Sequence, residues 1–272
     1  MIDTDWARTW SARRIRSLAM RFAFRPFRSM YAPTRIHHKE RVADLRGPAV
    51  YVSNHTSHAD TLVLLTTLPR RVRRRTVVAA AADYFFSKTS TARLTALLVG
   101  AIPVDRNKVS RATLELCHRL LGEGWSLIIF PEGGRSRDGT LQPFKPGAAW
   151  IARRAAVPVI PVYLDGVFQV LPKGQRWPTR HRVDMTYGAP MMVEVDEGAR
   201  EFNSRIEAAV RALADERAAA KSEGEPPSGP DGAAPISLLP TALNPIRADG
   251  RGAIGRSTAG GATDPAEADE AS

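Results

Sequence analysis

The stretch AVYVSNHTSHADTLVLLTTL, residues 49–68, predicts the fold class of this chain. Its first five residues form a short apolar run that is typical of a buried strand, and a polar segment rich in Asn, His, Thr and Ser follows. Residues 61–68 are again mainly apolar and indicate a helix. The same alternation continues along the chain, with strand patterns at 76–81, 101–104, 126–130, 157–164 and 182–187 and helical patterns at 89–98, 108–121, 145–156 and 196–220. Alternating strands and helices predict an α/β fold.

The composition is that of an ordinary globular protein. The 272 residues are 43% hydrophobic and 25% charged. No apolar run reaches the roughly 18 residues of a membrane-spanning helix. The single cysteine, Cys117, excludes an internal disulfide framework and a cysteine-rich zinc site. Arginines interrupt the first residues where a signal peptide needs a continuous apolar region, so we expect a reduced protein that faces the cytosol.

Positive charge is concentrated at the start of the chain. Residues 1–75 contain 16 Lys or Arg and 5 Asp or Glu, which accounts for the whole formal net charge of +11. Between residues 6 and 27, arginines are interleaved with Trp and Phe, a combination that suits a membrane interface with anionic lipids. Two other interpretations stay open, a basic arm for nucleic acid and a helix that packs on its own domain. A second arginine cluster at 70–75 could contact the same anionic surface or form a solvated turn.

The last part of the chain has a different composition. Residues 221–272 are rich in Gly and Pro and contain neither Val nor an aromatic residue. Such a segment cannot bury enough apolar area to offset the entropy of ordering it. We therefore expect three parts, a basic amphipathic membrane-interface segment at 1–34, a catalytic domain at 35–220 and a disordered tail at 221–272.

His55 and Asp60 are the first candidates for chemistry. A histidine can take a proton from a hydroxyl near neutral pH, and a carboxylate on its other ring nitrogen fixes the tautomer and stabilises the imidazolium. Residues five positions apart lie about 140° apart around a helix, so the two would not face each other there. We therefore expect His55 in the entry loop, folded back over the helix that carries Asp60. The alternatives are a helix cap with incidental histidines and a metal site formed with His58.

The segment FPEGGRS at 130–136 follows a buried strand, where α/β proteins bind ligands. Gly133 and Gly134 allow backbone amides to approach an oxyanion, and Arg135 offers a planar pair of donors to a phosphate. A free carboxylate on Glu132 would repel a phosphate, so we expect it to orient an arginine or to accept backbone N–H groups. An ordinary turn is the alternative interpretation.

Two further segments accompany these. GAIPVDR at 100–106 ends in Arg106, which could clamp a phosphate or form a surface ion pair. VPVIPVY at 157–163 carries two prolines, which indicate an edge strand or a bulge because proline cannot donate to the ladder.

The four segments, in this order, resemble the glycerolipid acyltransferase family, which includes bacterial 1-acylglycerol-3-phosphate acyltransferases. The family's block Asn-His-x-Ser-x-x-Asp is matched at 54–60, and its Gly-x-Ile-x-Val-x-Arg block is matched at 100–106. The block Phe-Pro-Glu-Gly-Thr-Arg-Ser is matched at 130–136 except that Gly134 replaces the usual Thr, and the apolar Val-Pro block is matched at 157–162. The resemblance spans residues 35–190.

This resemblance implies transfer of a fatty acyl group from acyl-CoA or acyl-acyl carrier protein to the free hydroxyl of lysophosphatidic acid, giving phosphatidic acid. It implies a mixed sheet flanked by helices, with His55 as general base and Asp60 as its orienting partner. The residues expected to bind the acceptor are Arg106, Glu132, Gly133, Gly134, Arg135 and Ser136. We expect no metal and no cofactor. The chain has no Gly-x-Ser-x-Gly motif, which favours direct transfer over a seryl intermediate.

The resemblance also implies a position at the cytoplasmic face of the cell membrane, peripheral or monotopic, with the N-terminal segment as the anchor. We expect the acyl chain to lie along residues 62–68 and 94–99, and we expect no nucleic acid partner. Two alternatives stay open. One is the same chemistry on another lysolipid, such as a lyso-ornithine lipid, and the other is a non-catalytic module that binds anionic surfaces.

Overall fold

A computed structural model describes residues 3–85, 89–105 and 110–224. Within these residues, seven strands form one mixed sheet in the order β1-β7-β6-β2-β5-β3-β4. The strands are β1 (Thr34–His37), β2 (Val50–Ser53), β3 (Thr76–Ala81), β4 (Ala101–Val104), β5 (Ser126–Ile129), β6 (Val159–Asp165) and β7 (Val183–Tyr187). Strands β2 to β6 run parallel to one another, whereas β7 is antiparallel to β6 and pairs in parallel with β1. The carboxyl ends of β2 to β6 therefore meet at one edge of the sheet, which we call the carboxyl edge.

Helices cover both faces of the sheet. They are α1 (Trp10–Ala19), α2 (Arg25–Tyr31), α3 (Ala59–Thr67), α4 (Arg70–Arg73), α5 (Ala82–Phe85), α6 (Thr89–Val99), α7 (Arg111–Gly122), α8 (Gly147–Ala155), α9 (Val167–Val170) and α10 (Ala199–Ser222). Helices α1, α2, α3 and α6 pack together on one face, and α7, α8 and α10 pack on the other. Alternate residues of β2 supply both cores, because Val50 and Val52 enter one and Tyr51 enters the other. The predicted α/β fold with a mixed sheet is confirmed.

The predicted strands agree closely with the observed ones, with two exceptions. Strand β1 was not predicted, since its four residues are mostly polar and carry no apolar run. Strand β6 lies inside the sheet, between β2 and β7, so the edge-strand interpretation of its prolines is wrong. The pairing of β6 with the chain after it shifts by one residue between the Val159–Met191 bridge and the Val162–Tyr187 pair. Pro161 lies within this interruption, where the ladder is already broken.

The N-terminal segment is helical, with α1 and α2 joined through a π-helical turn at Met20–Phe24. Its inner face packs on the domain through Ala12, Arg16 and Met20. The Arg16 guanidinium donates to the carbonyl oxygens of Ala96 (2.8 Å) and Leu97 (2.8 Å) and so caps the C-terminal end of α6. The expected packing on its own domain therefore occurs on one face of the segment.

The opposite face of the N-terminal segment is apolar and exposed. Its solvent-facing side chains include Trp10, Ile15, Leu18 and Phe22. Among the residues that the structure describes, no helix is both long and apolar enough to cross a membrane. At the other end of the chain, α10 continues to Ser222, two residues into the predicted tail. The rest of that tail, from residue 225, lies outside the described residues.

Candidate active site

Two loops meet at the carboxyl edge of the sheet because their strands are neighbours. Strand β2 leads into residues 54–58 and β5 leads into residues 130–136, and the two strands are paired in parallel. The His55 ring stacks on the Phe130 ring with 4.2 Å between centroids. The sequence blocks at 54–60 and 130–136, which lie far apart in the chain, thus form one site.

His55 and Asp60 are in direct contact. The Asp60 carboxylate is fully buried in the first turn of α3, and its Oδ2 lies 2.8 Å from Nδ1 of His55. The same oxygen accepts the backbone N–H groups of Thr56 (2.7 Å) and Ser57 (2.8 Å), which holds the carboxylate in place. When Nδ1 donates to Asp60, the lone pair of the imidazole lies on Nε2. The entry-loop geometry predicted for His55 is therefore observed, and the pair is arranged as a base and its orienting carboxylate.

Glu132 and Ser136 contact the backbone of His55 on both sides. Oε1 of Glu132 accepts the His55 N–H at 3.0 Å, and the N–H of Ser136 donates to the His55 carbonyl at 2.8 Å. The Ser136 hydroxyl is engaged within its own turn, where it donates to Asp138 at 2.8 Å. Both residues are buried, and neither lines the cavity described below. The structure therefore places these two predicted acceptor-binding residues against the backbone of His55 and outside the cavity wall.

The second oxygen of Glu132 is buried and accepts no hydrogen bond from the residues that the structure describes. Burial raises the pKa of Glu132 to about 8, and the nearby charge of Asp60 acts in the same direction. The carboxyl group is consequently neutral at pH 7. A neutral carboxyl group still accepts the His55 N–H through its carbonyl oxygen, which agrees with the expectation that Glu132 accepts a backbone N–H.

A cavity of about 760 Å³ opens at this edge. The polar part of its wall carries His55, Gly133, Gly134 and Arg135 together with Lys145, which was not predicted. Gly133 has φ of +72°, and a Cβ there would lie 2.9 Å from Nζ of Lys145. The backbone therefore favours glycine at 133, and a Cβ there would also displace the end of the flexible lysine side chain. Lys145 belongs to no recognisable motif, and only its position before the Pro-Gly start of α8 distinguishes it in the sequence.

His58 also lines the cavity. Burial and the positive charge of Arg135 lower the pKa of His58 to about 4, so its ring is neutral at physiological pH. The metal-site interpretation joined this ring to His55 and Asp60. Within the described part of the chain, no group of three His, Cys, Asp or Glu side chains could hold a metal ion.

The remaining wall of the cavity is apolar. Leu62 of α3 and the α6 residues Leu94, Leu98 and Val99 line it, as expected for an acyl groove. Other leucines of the predicted groove, at 64, 65 and 68, belong to the core beneath α3 instead. Apolar lining with a few polar groups at one end is typical of a site for an amphipathic ligand.

The block at 100–106 is only partly described. Strand β4 leads to Asp105, which lines the cavity. Arg106 lies outside the described residues, so the structure does not test its predicted phosphate contact.

Comparisons with known proteins match the central part of the chain to acyltransferases. Residues 33–165 match the family described as Acyltransferase. A chloroplastic 1-acyl-sn-glycerol-3-phosphate acyltransferase of Brassica napus is 35% identical over 141 residues, which are 49% of this chain and 38% of that protein. The alpha form of the same enzyme from Bos taurus is 31% identical over 150 residues, 54% of this chain and 50% of that protein. The chain thus spans half or less of the length of these curated relatives.

A solved structure has the same fold. The 1-acyl-sn-glycerophosphate acyltransferase of Thermotoga maritima superimposes with a TM-score of 0.59 at 24% sequence identity. The match covers 79% of this chain and 84% of that one. At this identity the likeness concerns the fold of the domain.

Proposed function

We propose that this chain, which belongs to the Acyltransferase family through residues 33–165, moves a fatty acyl group from acyl-CoA or acyl-acyl carrier protein to the free hydroxyl of lysophosphatidic acid. The observation that carries the proposal is the contact between His55 and Asp60, at 2.8 Å, beside a largely apolar cavity with cations at one end. A base, an apolar chain site and a cationic site are the three elements that such a reaction needs. The names of the matched relatives support lysophosphatidic acid as the acceptor.

The reaction proceeds by direct transfer. Nε2 of His55 takes the proton from the acceptor hydroxyl, and the oxygen forms a bond to the thioester carbonyl carbon. The carbonyl electron pair moves onto oxygen, giving a tetrahedral oxyanion. Collapse of this intermediate breaks the C–S bond, and the departing thiolate takes the proton back from the imidazolium. The products are an ester and a free thiol, and Asp60 stabilises the imidazolium between the two steps.

The cationic end of the cavity binds the acceptor headgroup. Arg135 presents a guanidinium to the phosphate, and Lys145 adds a second positive charge beside Gly133. Arg106 joins them in the proposal on the strength of the family resemblance. The backbone amide of Gly134 faces the developing oxyanion, whereas the Gly133 N–H donates to the Phe130 carbonyl at 3.2 Å. The acyl chain lies against Leu62, Leu94 and Leu98.

Glu132 and Ser136 take a supporting role in this proposal. Their contacts are with the backbone of His55, and these contacts hold the loop at 54–58 against the loop after β5. The family resemblance assigned them to acceptor binding, whereas their burial favours an indirect effect on the base.

The membrane surface is the proposed location. The exposed apolar face of the N-terminal segment enters the headgroup region, and the surrounding arginines meet anionic lipid phosphates. Because Arg16 ties α1 to the end of α6, the membrane contact is joined rigidly to one wall of the cavity. We place the protein at the cytoplasmic face of the membrane, with the domain at 35–220 carrying the chemistry and the segment beyond as a dispensable tail.

Thioester consumption with detergent-solubilised protein tests the function. Free thiol should appear when acyl-CoA and lysophosphatidic acid are both present, together with an equal amount of phosphatidic acid. A panel with lyso-ornithine lipid and lysophosphatidylcholine decides the acceptor, and a higher kcat/KM for either one would replace lysophosphatidic acid. If no acceptor yields thiol while the protein still binds anionic vesicles, the chain is a non-catalytic surface-binding module.

A further inference from the structure

The loop at 171–182, LPKGQRWPTRHR, is a basic and aromatic surface that the catalytic account leaves unused. It follows α9 and leads into β7, and β7 begins where β6 ends, so the loop lies at the carboxyl edge with the cavity. Lys173 of the loop lines the cavity itself. The loop contains four Lys or Arg residues and no Asp or Glu.

The loop is held at both ends by the site and by the N-terminal segment. The Ser57 hydroxyl donates to the Leu171 carbonyl at 2.8 Å, which joins the start of the 171–182 loop to the loop that carries His55. The His181 N–H donates to the Tyr31 carbonyl at 2.9 Å, which joins its end to the last turn of α2. A movement of the loop is therefore transmitted directly to both neighbours.

The tip of the loop is ordered, yet it presents a large ring to solvent. Gln175 bridges the tip by donating to the Trp177 carbonyl (2.7 Å) and to the Thr179 hydroxyl (3.1 Å). The Thr179 N–H donates to the Val170 carbonyl at 2.8 Å. The Trp177 side chain is nevertheless 80% exposed, and the neighbouring Arg176 is exposed as well. These hydrogen bonds therefore hold the indole in water beside a basic side chain.

We propose that the 171–182 loop is a second membrane contact, in which Trp177 lies at headgroup depth and Arg176 and Arg180 bind the phosphates of anionic lipids. Trp is favoured at this depth because its ring is apolar while its N–H can reach water or lipid oxygens. Each interfacial arginine gains from the negative surface potential of an anionic membrane. The loop and the N-terminal segment then hold the cavity against the bilayer from two sides. The inference rests on the proposed function, because the second membrane contact would serve to deliver a lipid acceptor to the site.

Binding to vesicles tests the proposal without any need for catalysis. We compare Trp177→Ala and the double variant Arg176→Gln/Arg180→Gln with the full-length wild-type chain, using phosphatidylcholine vesicles with and without phosphatidylglycerol. Matched controls lie on α8, which packs on the face of the sheet opposite the N-terminal helices, and where Trp150 and two arginines are also exposed. These controls are Trp150→Ala and Arg153→Gln/Arg154→Gln, which remove the same ring and the same charge.

The double loop variant should bind anionic vesicles about 30-fold more weakly, since it loses two interfacial arginines. Trp177→Ala should lose about 10-fold on the same vesicles. The α8 controls should stay within about 3-fold of wild type, because general charge attraction is screened by salt. Wild-type binding by both loop variants would overturn the proposal, and so would equal losses in the α8 controls.

Brominated lipids report the position of the ring directly. They should quench part of the tryptophan fluorescence of the wild type, and this part should be lost in Trp177→Phe but kept in Trp150→Phe. Quenching that is identical in Trp177→Phe and wild type would show that the ring stays in water, against the proposal.

Kinetics separate a lipid contact from a contact with the acyl donor. With lysophosphatidic acid in vesicles, the loop variants should turn over more slowly than wild type. With a short-chain acceptor that is monomeric in water, they should match the wild type in KM for the thioester. A raised thioester KM with the monomeric acceptor would assign the loop to CoA or the carrier protein instead. If the wild type transfers no acyl group, the function fails while vesicle binding and quenching still decide the loop.

Discussion

Replacing Glu132 with Gln should change how the stability of the protein depends on pH. The Glu132 carboxyl group is buried, one of its oxygens accepts no hydrogen bond within the described part of the chain, and burial raises its pKa from the ordinary 4.5 to about 8. Between these two values the folded state keeps a proton that the unfolded state has already lost. The stabilisation is therefore fully present below pH 4.5 and is lost as the pH rises to about 8.

The size of the effect follows from that interval. At ~1.4 kcal/mol for each pH unit, the span between the two pKa values corresponds to at most ~5 kcal/mol of unfolding free energy. Part of the interval lies below pH 5, and relaxation of the site around the ionised group reduces the effect further, so we expect wild type to lose about 2–4 kcal/mol of unfolding free energy between pH 5 and pH 8.5. Glu132→Gln keeps the carbonyl oxygen that accepts the His55 N–H and has no proton to lose. Its stability relative to wild type should therefore rise with pH.

Urea unfolding at intervals between pH 5 and pH 8.5 measures this difference. The matched control is Glu115→Gln, since Glu115 is an exposed carboxylate on α7 paired with Arg111 at the surface. Its difference from wild type should be small and nearly constant over the same range. A difference between Glu132→Gln and wild type that does not change with pH would refute the reasoning, because Glu132 would then ionise as an ordinary surface carboxylate does.

Three further predictions concern single side chains. Gly133→Ala puts an alanine at a φ of +72°, in the left-handed region, so we expect a loss of about 1–2 kcal/mol of stability and, because this residue lines the cavity, a clear fall in kcat. Gly47→Ala, with no atom within 4 Å, is the control, and equal effects on melting temperature and turnover would contradict us. Arg135→Gln should raise the acceptor KM about 10–100-fold with little change in the thioester KM, because a charge-assisted contact is lost; Arg137→Gln, which is exposed, should change neither constant. Arg16→Met removes three hydrogen bonds to buried carbonyl oxygens and should lower the unfolding free energy by about 2–4 kcal/mol in urea, a result that an unchanged midpoint would rule out.

Much of the fold was predictable because its pattern is local. Strands at 76–81 and 101–104 agree with the observed bounds, since each is an apolar run between clear turn signals. Helix geometry predicted the position of His55 in the loop, since residues five apart do not face each other on a helix, whereas its pairing with Asp60 was one of several interpretations until the family resemblance assigned it. Strand β1 was missed because its pairing with β7 depends on residues about 150 positions away.

The parts of the site that were missed depend on tertiary packing. Lys145 and Lys173 reach the cavity from separate loops, and neither belongs to a motif that marks it in the sequence. The sequence predicts that Glu132 accepts a backbone N–H, but it does not identify His55 as the donor. That identity follows from the parallel pairing of β2 with β5, which brings two distant loops together.

The N-terminal segment shows why its pattern supported both the membrane-interface interpretation and the interpretation as a helix that packs on its own domain. Ala12, Arg16 and Met20 recur at a spacing of four residues and face the domain, whereas Leu18 and Phe22 face solvent. The buried Arg16 interrupts the hydrophobic periodicity of the packed face, because this side chain caps α6 through hydrogen bonds.

The turnover of His55→Ala tests the central claim most directly. We would measure thiol release from acyl-CoA with lysophosphatidic acid, alongside His118→Ala, whose exposed histidine lies on α7 away from the cavity. His55→Ala should fold as wild type does and lose about 10²–10⁴-fold in kcat, the usual contribution of a general base. His118→Ala should keep wild-type turnover. Undiminished turnover in folded His55→Ala would contradict the account, because the proton of the acceptor hydroxyl would then be taken by another group.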